Sequence, residues 1–138
     1  MKKDIVLDLT MEALKGYTDL EQSKSLAEFL PLESADMHYL TYSTYEEYCD
    51  EIAYTANLGK PGMYDKCCIP CWSLAALLEH LRKIDLFPDI TDSVDCVLMD
   101  ISFADNEDGK IQCLRVEGKT ILDTCYGMIV KLHELKLL

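Results

Sequence analysis

The sequence predicts an α+β fold: one domain over residues 1–138, with an antiparallel β-meander packed against about four α-helices. Three observations point there. Val97, Met99, Ile101 and Phe103 alternate with Leu98, Asp100 and Ser102, the period of a half-buried strand. Leu74, Leu77, Leu78, Leu81 and Ile84 recur at the three-four spacing of an amphipathic helix. Hydroxyl-x-x-carboxylate signals stand ahead of two further runs, where each side chain can satisfy an orphan amide of a helix start.

Taken in order, Asp4–Leu9 alternates Ile5, Leu7 and Leu9 against Asp4 and Asp8, which predicts a strand. Thr18-Asp-Leu-Glu21 has capping-box spacing and opens a helix expected to run to about Leu30 and to stop at Pro31. Leu26, Phe29 and Leu30 form its buried side. Met37–Tyr42 predicts a short strand. Ser43-Thr-Tyr-Glu46 is a second capping box. Behind it Tyr45, Tyr48, Cys49, Ile52, Ala53 and Ala56 keep helical spacing, with Gly59 and Pro61 as the stop.

Trp72–Ile84 is the clearest helix. Phe87-Pro88-Asp89 and the acids behind it read as loop. The strand Val97–Phe103 is expected to turn back at Asp108-Gly109, because glycine accepts the positive φ of a tight hairpin turn. Folding there sets Phe103 opposite Leu114 and Ile101 opposite Val116, so the apolar faces agree. Thr120–Leu122 predicts a short third strand. Asp123 is then expected to cap a last helix with Cys125, Met128, Ile129, Leu132 and Leu135 inward. Gly127 inside that helix costs up to about 1 kcal/mol against alanine, which predicts a close contact at that point.

Composition bounds the class. Hydrophobic residues are 49% and charged residues 28% of the chain, enough apolar material for a core without a disulfide scaffold. No polar tract or internal repeat divides the sequence. "MKKDIVLDLT" lacks the apolar run of a signal peptide, and Ile69–Leu78 is far short of the roughly 20 residues that span a bilayer. A cytoplasmic protein that engages no membrane is expected, with its seven cysteines as reduced thiols.

The formal charge is −12, and it is uneven. Glu28, Glu33, Asp36, Glu46, Glu47, Asp50 and Glu51 lie between Lys24 and Lys60 with no lysine or arginine among them. Asp85, Asp89, Asp92, Asp95, Asp100, Asp105, Glu107 and Asp108 do the same between Lys83 and Lys110. Such a surface repels phosphates, so direct nucleic-acid binding is not expected. A protein partner with a basic surface is.

"DKCCIPCW" at 65–72 raises the sharpest chemical question. Cys68-Ile-Pro-Cys71 lies just before a predicted helix, where terminal amides favour a thiolate. A thioredoxin-like pair follows a buried strand, however, and this one follows Gly59–Lys66, which reads as loop. Zinc needs four ligands, usually from two clusters, and only this one cluster exists. Cys96, Cys113 and Cys125 are single, and Cys96 and Cys113 do not face each other in the expected hairpin. Cysteine as a small buried hydrophobe accounts for most of the seven. Cys67, Cys68 and Cys71 remain the candidate thiols.

Tyr45 and Tyr48 are candidates for a contact surface, since six of the eight tyrosines fall between Tyr39 and Tyr64. Core lining is the commoner use of such a stripe. His38, His80 and His133 are isolated. Asp105-Asn-Glu-Asp-Gly109 lacks the glycine position and distal glutamate of a calcium loop. No phosphate-cradling glycine loop is present, and no cofactor is implied.

Three segments, "LEQSKSLAEFLPLESADM" (20–37), "IPCWSLAALLEHL" (69–81) and "CYGMIVKLHELKLL" (125–138), resemble a group of small uncharacterised proteins of gut anaerobes, often carried on prophages or other mobile elements. They cover about a third of the chain. The shared pattern includes Pro70-Cys71-Trp72-Ser73 and leaves out Cys67 and Cys68. The resemblance implies a mobile-element setting and an anaerobic host that keeps thiols reduced. It carries no catalytic or ligand role. The function expected is therefore that of a non-enzymatic accessory or interaction protein. The alternatives are an acidic decoy that occupies a DNA-binding protein, and a thiol-redox or zinc protein using Cys68 and Cys71.

Overall fold

The computed structural model describes residues 3–7, 16–42, 51–61, 68–104 and 108–138. They belong to two compact units, Met1–Ser73 and Leu74–Leu138. The α+β class holds, with three α-helices among the described residues rather than about four.

The first unit contains β1 (Lys3–Leu7), α1 (Leu20–Ala27), a single 3-10 turn at Leu32–Ser34, β2 (Met37–Tyr42), β3 (Glu51–Leu58) and β4 (Cys68–Cys71). The strands form one sheet in the order β1-β3-β2-β4. β1 runs parallel to β3, and the other pairs are antiparallel.

β3 overturns the helix expected behind Tyr45, at least over Glu51–Leu58. The second capping box and the first turn of that expected helix lie outside the described residues. A three-four spacing in a short run fits either element, and β-branched and aromatic residues such as Ile52, Tyr54 and Thr55 suit a strand. β3 has hydrogen-bonded neighbours on both sides, and that pairing decides the matter.

α1 starts one residue later than the expected box. Asp19, not Thr18, is the N-cap: its Oδ1 accepts from the Gln22 amide at 2.8 Å, and Gln22 Oε1 accepts from the Asp19 amide at 3.1 Å. The helix ends at Ala27, before the expected Leu30, although Leu30 N still donates to Leu26 O. Leu26 and Leu30 are buried and Phe29 is half-buried. The core of the unit joins Leu20 of the helix to Met37, Tyr39 and Cys71 of the sheet, with Tyr17, Ala56 and Ile69 packed around them. Tyr17 meets the Tyr39 ring edge-on at 6.5 Å between centroids.

The second unit contains α2 (Leu74–Lys83), β5 (Asp89–Asp92), β6 (Val97–Ala104), β7 (Ile111–Gly118) and α3 (Ile121–Glu134). β5-β6-β7 is the expected antiparallel meander. β5 itself corrects the loop expected behind Phe87. All four of its residues are exposed, so no apolar alternation announced it, and pairing with β6 makes the strand.

β6 buries Val97, Met99 and Ile101 on the face that α3 covers, as the alternation predicts. The hairpin register is two residues from the expected one: Phe103 pairs with Gln112, and Ile101 with Leu114. A shift of two keeps every side chain on its face, so the faces gave no warning. The cause is the connection. Residues 105–110 separate the strands, and Asp108 Oδ1 accepts from the Lys110 amide at 3.0 Å around Gly109 at φ 70°.

The third strand expected at Thr120–Leu122 is absent. Thr120 caps α3 instead, its hydroxyl accepting from the Asp123 amide at 3.0 Å, which moves Asp123 from the cap into the first turn. Cys125, Met128, Ile129 and Leu132 are buried as expected, beside Leu77 and Leu81 of α2. Leu135 lies past the helix and is exposed.

Two glycines seat α3 on the sheet. A methyl at Gly127 would lie 3.1 Å from Val116 Cγ1, the close contact that a glycine inside a helix implied. A methyl at Gly118 would lie 2.5 Å from Thr124 Oγ1 and 3.1 Å from the Thr124 amide nitrogen, on the backbone of the helix itself. Gly118→Ala is therefore expected to destabilise by about 1–3 kcal/mol, read as a lower urea midpoint. Gly127→Ala presses only on a valine methyl and gains helix propensity, so it should stay within about 1 kcal/mol of the parent.

Candidate functional site

Cys68-Ile-Pro-Cys71 forms β4 and does not lie directly at a helix start; α2, expected over Trp72–Ile84, runs from Leu74 to Lys83. Among the described residues β4 is an edge strand, the place in a sheet where proline is tolerated. The pairing sets Cys71 opposite Met37 and Cys68 opposite Leu40. Side chains three apart in a strand point to opposite faces of the sheet. The two sulfurs thus lie on different sides, and neither a disulfide nor one shared metal ion can join them while β4 stands.

Cys71 is fully buried in a polar knot built around Thr18. Thr18 N donates to Trp72 O at 2.9 Å, and Trp72 N donates to Thr18 Oγ1 at 3.1 Å. The Thr18 hydroxyl also shares a 2.7 Å hydrogen bond with Ser23 Oγ. Tyr39 Oη donates to Thr18 O at 2.8 Å, and Cys71 Sγ approaches the same carbonyl at 3.4 Å. Beside the knot, Trp72 Nε1 donates to Ser34 Oγ at 2.9 Å. Asp36 receives both the Ser73 amide, at 2.9 Å, and the Ser73 hydroxyl.

Among the described residues every buried side-chain nitrogen and oxygen has a partner. The donors here bond one another and bind α1, β2 and β4 together. Sequence reading missed Thr18, Asp36 and Ser73. Thr18 looked like a cap, and nothing in the chain marks its distance in space from Trp72.

Burial pushes the Cys71 thiol from its ordinary 9.0 up to about 11; hydrogen bonds from Thr18 and Ser23 oppose the shift and the charge of Asp36 adds to it. Burial alone pushes Cys125 up to about 12. At pH 7 a thiol at about 11 is ionised to about one part in ten thousand, so Cys71 is no nucleophile. Both thiols titrate higher in the folded chain than in the unfolded one. Their stabilising contribution is full below about pH 9 and is lost as pH rises through the folded values. The melting temperature is expected to fall from about pH 9 upward, with a shallower fall in Cys125→Ala.

Of the remaining cysteines, Cys68 and Cys96 are half-buried and Cys113 is exposed, so the reading of cysteine as core filler holds for two of the five described. Cys67, Tyr45 and Tyr48 lie outside the described residues. Half-burial lowers the His80 pKa, with the charge of Lys83 adding to it. Among the described residues no three His, Cys, Asp or Glu side chains come together as a metal site.

The second candidate is the acidic stretch that includes β5. Asp89, Asp100 and Arg115 form one cross-strand row. Arg115 holds Asp100 through Nε–Oδ1 at 2.7 Å and Nη2–Oδ2 at 3.2 Å, and this lowers the Asp100 pKa. Asp85, Asp89, Asp92 and Asp95 are all exposed, and among the described residues no ion pair takes them up. Phe87 at 64% and Val94 at 102% exposure stand between them, with Ile90 at 40%. The sequence showed the acids but not the strand that carries two of them.

No family model, curated protein or solved structure matches this chain.

Proposed function

We propose that this is a cytoplasmic, non-enzymatic interaction protein of a mobile element or prophage, whose acidic surface engages a partner protein with a basic one. The observation that carries this reading is the run Asp85, Asp89, Asp92 and Asp95. Four exposed carboxylates have no ion-pair partner among the described residues and stand beside exposed Phe87 and Val94. Charge of a single sign would steer a basic partner in and repel nucleic acid.

The chemistry of the thiols supports binding over catalysis. Cys71 is locked in the Thr18 knot as a neutral thiol, and Cys68 faces the other way. Among the described residues no helix is long and apolar enough to cross a membrane.

Affinity capture with the purified protein from an anaerobic gut-bacterial lysate tests the reading. A specific basic protein should be retained at low salt and released near 1 M salt, where the screening length falls to about 3 Å. An empty capture together with turnover in a substrate screen would remove it. The same acids would serve a decoy of a DNA-binding protein, and competition by duplex DNA for the captured partner separates the two.

A further inference from the structure

We infer that the open edge of β5 is the docking site, and that it takes an extended, basic segment of the partner as an added antiparallel strand. The inference rests on the interaction reading and names its site and ligand.

Among the described residues β5 is an outermost strand: the order in the meander is β5-β6-β7, so β6 occupies one side only. In an antiparallel pair, alternate residues turn their N–H and C=O away from the partner strand. On β5 those groups point away from β6, where another chain can meet them. A short charged edge is also how proteins keep strangers off. Two features speak for a receptor here. An edge that is merely guarded gains nothing from three large apolar side chains, yet Phe87, Ile90 and Val94 are all exposed within this stretch. The charge is also of one sign, with no lysine or arginine from Ile84 to Gly109.

The occupant follows from complementarity. A second copy would bring the same four carboxylates against themselves, which is unfavourable. On β5, Asp89 shares a face with Asp100, while Ile90 and Asp92 share the opposite face with Met99 and Val97. A strand that alternates lysine or arginine with apolar residues would set its cations beside Asp89 and its apolar side chains beside Ile90, with Asp85 and Phe87 flanking β5 on one side in sequence and Val94 and Asp95 on the other. The other edge, β7, carries Arg115 and Glu117 in mixed sign and offers no such preference.

The probe is a synthetic alternating Lys-Val octapeptide added to the full chain, with an alternating Glu-Val octapeptide as control. Amide shifts in the protein NMR spectrum should move for residues 85–95 and for the Lys-Val peptide only. Phe87→Ala should weaken binding about fivefold or more, and Asp89→Lys should weaken it more than tenfold while the melting temperature holds. N-methylation of alternate peptide amides keeps the charge but removes donors, and should weaken binding more than tenfold. Equal binding of the methylated peptide, or shifts centred elsewhere, would overturn strand addition at β5. So would no binding at all. If the peptide fails while a basic protein is still captured from lysate, the site is wrong and the interaction reading stands; if both fail, both are wrong.

Discussion

Trp72→Ala is expected to destabilise the protein by about 3–5 kcal/mol, a large part of the stability of a domain this size. Trp72 is fully buried, and its indole N–H reaches Ser34 Oγ. Truncation removes the largest side chain of the interior and takes from Ser34 Oγ the N–H it accepts, while its own bond to Pro31 O remains. Trp72→Phe keeps most of the volume and loses only that hydrogen bond, so it should cost about 1–2 kcal/mol. Denaturant melts of the two variants check this. Equal losses for Ala and Phe would show that the indole N–H, not the volume, is what matters.

Thr18→Val should cost about 2–4 kcal/mol although the shape is unchanged. The hydroxyl it removes is the acceptor for the Trp72 amide and the partner of Ser23 Oγ. Each of these buried groups left unpaired costs about 1–3 kcal/mol, offset in part because Ser23 Oγ also reaches Thr18 O at 3.4 Å. Thr18→Ser keeps the hydroxyl and should lose under half as much. Were valine as mild as serine, the knot would be a by-product of packing and not what joins α1 to β4.

The parts of the fold that the sequence showed plainly are those where one period excludes the other. β6 buries Val97, Met99 and Ile101 in alternation, α2 buries Leu77 and Leu81 of its expected stripe while Ile84 past its end is exposed, and α3 buries Cys125, Met128, Ile129 and Leu132. β3 was not legible, because its spacing suits a helix equally well and only its two strand neighbours decide. β5 was not legible because an exposed strand has no apolar signature. The helix starts were displaced by tertiary demands: Thr18 is spent on Trp72, which passes the cap to Asp19, while Thr120 takes the cap that Asp123 was expected to hold. The hairpin slipped by two because faces fix register only to within an even number.

The candidate site was legible in part. Cys71 was visible as a residue but not as a member of a knot, since Thr18 lies 53 positions away. The acids of β5 were visible as charge but not as an edge. Both failures have the same origin: hydrogen bonds between residues distant in sequence leave no local pattern.

The account holds that Cys71 ties structure together and that the protein acts through its exterior. The pH dependence of Cys71 alkylation by iodoacetamide, followed by mass spectrometry on native protein kept under anaerobic conditions, tests this most directly. The account predicts that Cys71 stays unmodified at neutral pH while exposed Cys113 reacts, and that Cys71 reacts only under unfolding conditions or well above about pH 9. Rapid alkylation of Cys71 at pH 7, titrating near neutrality, would contradict it.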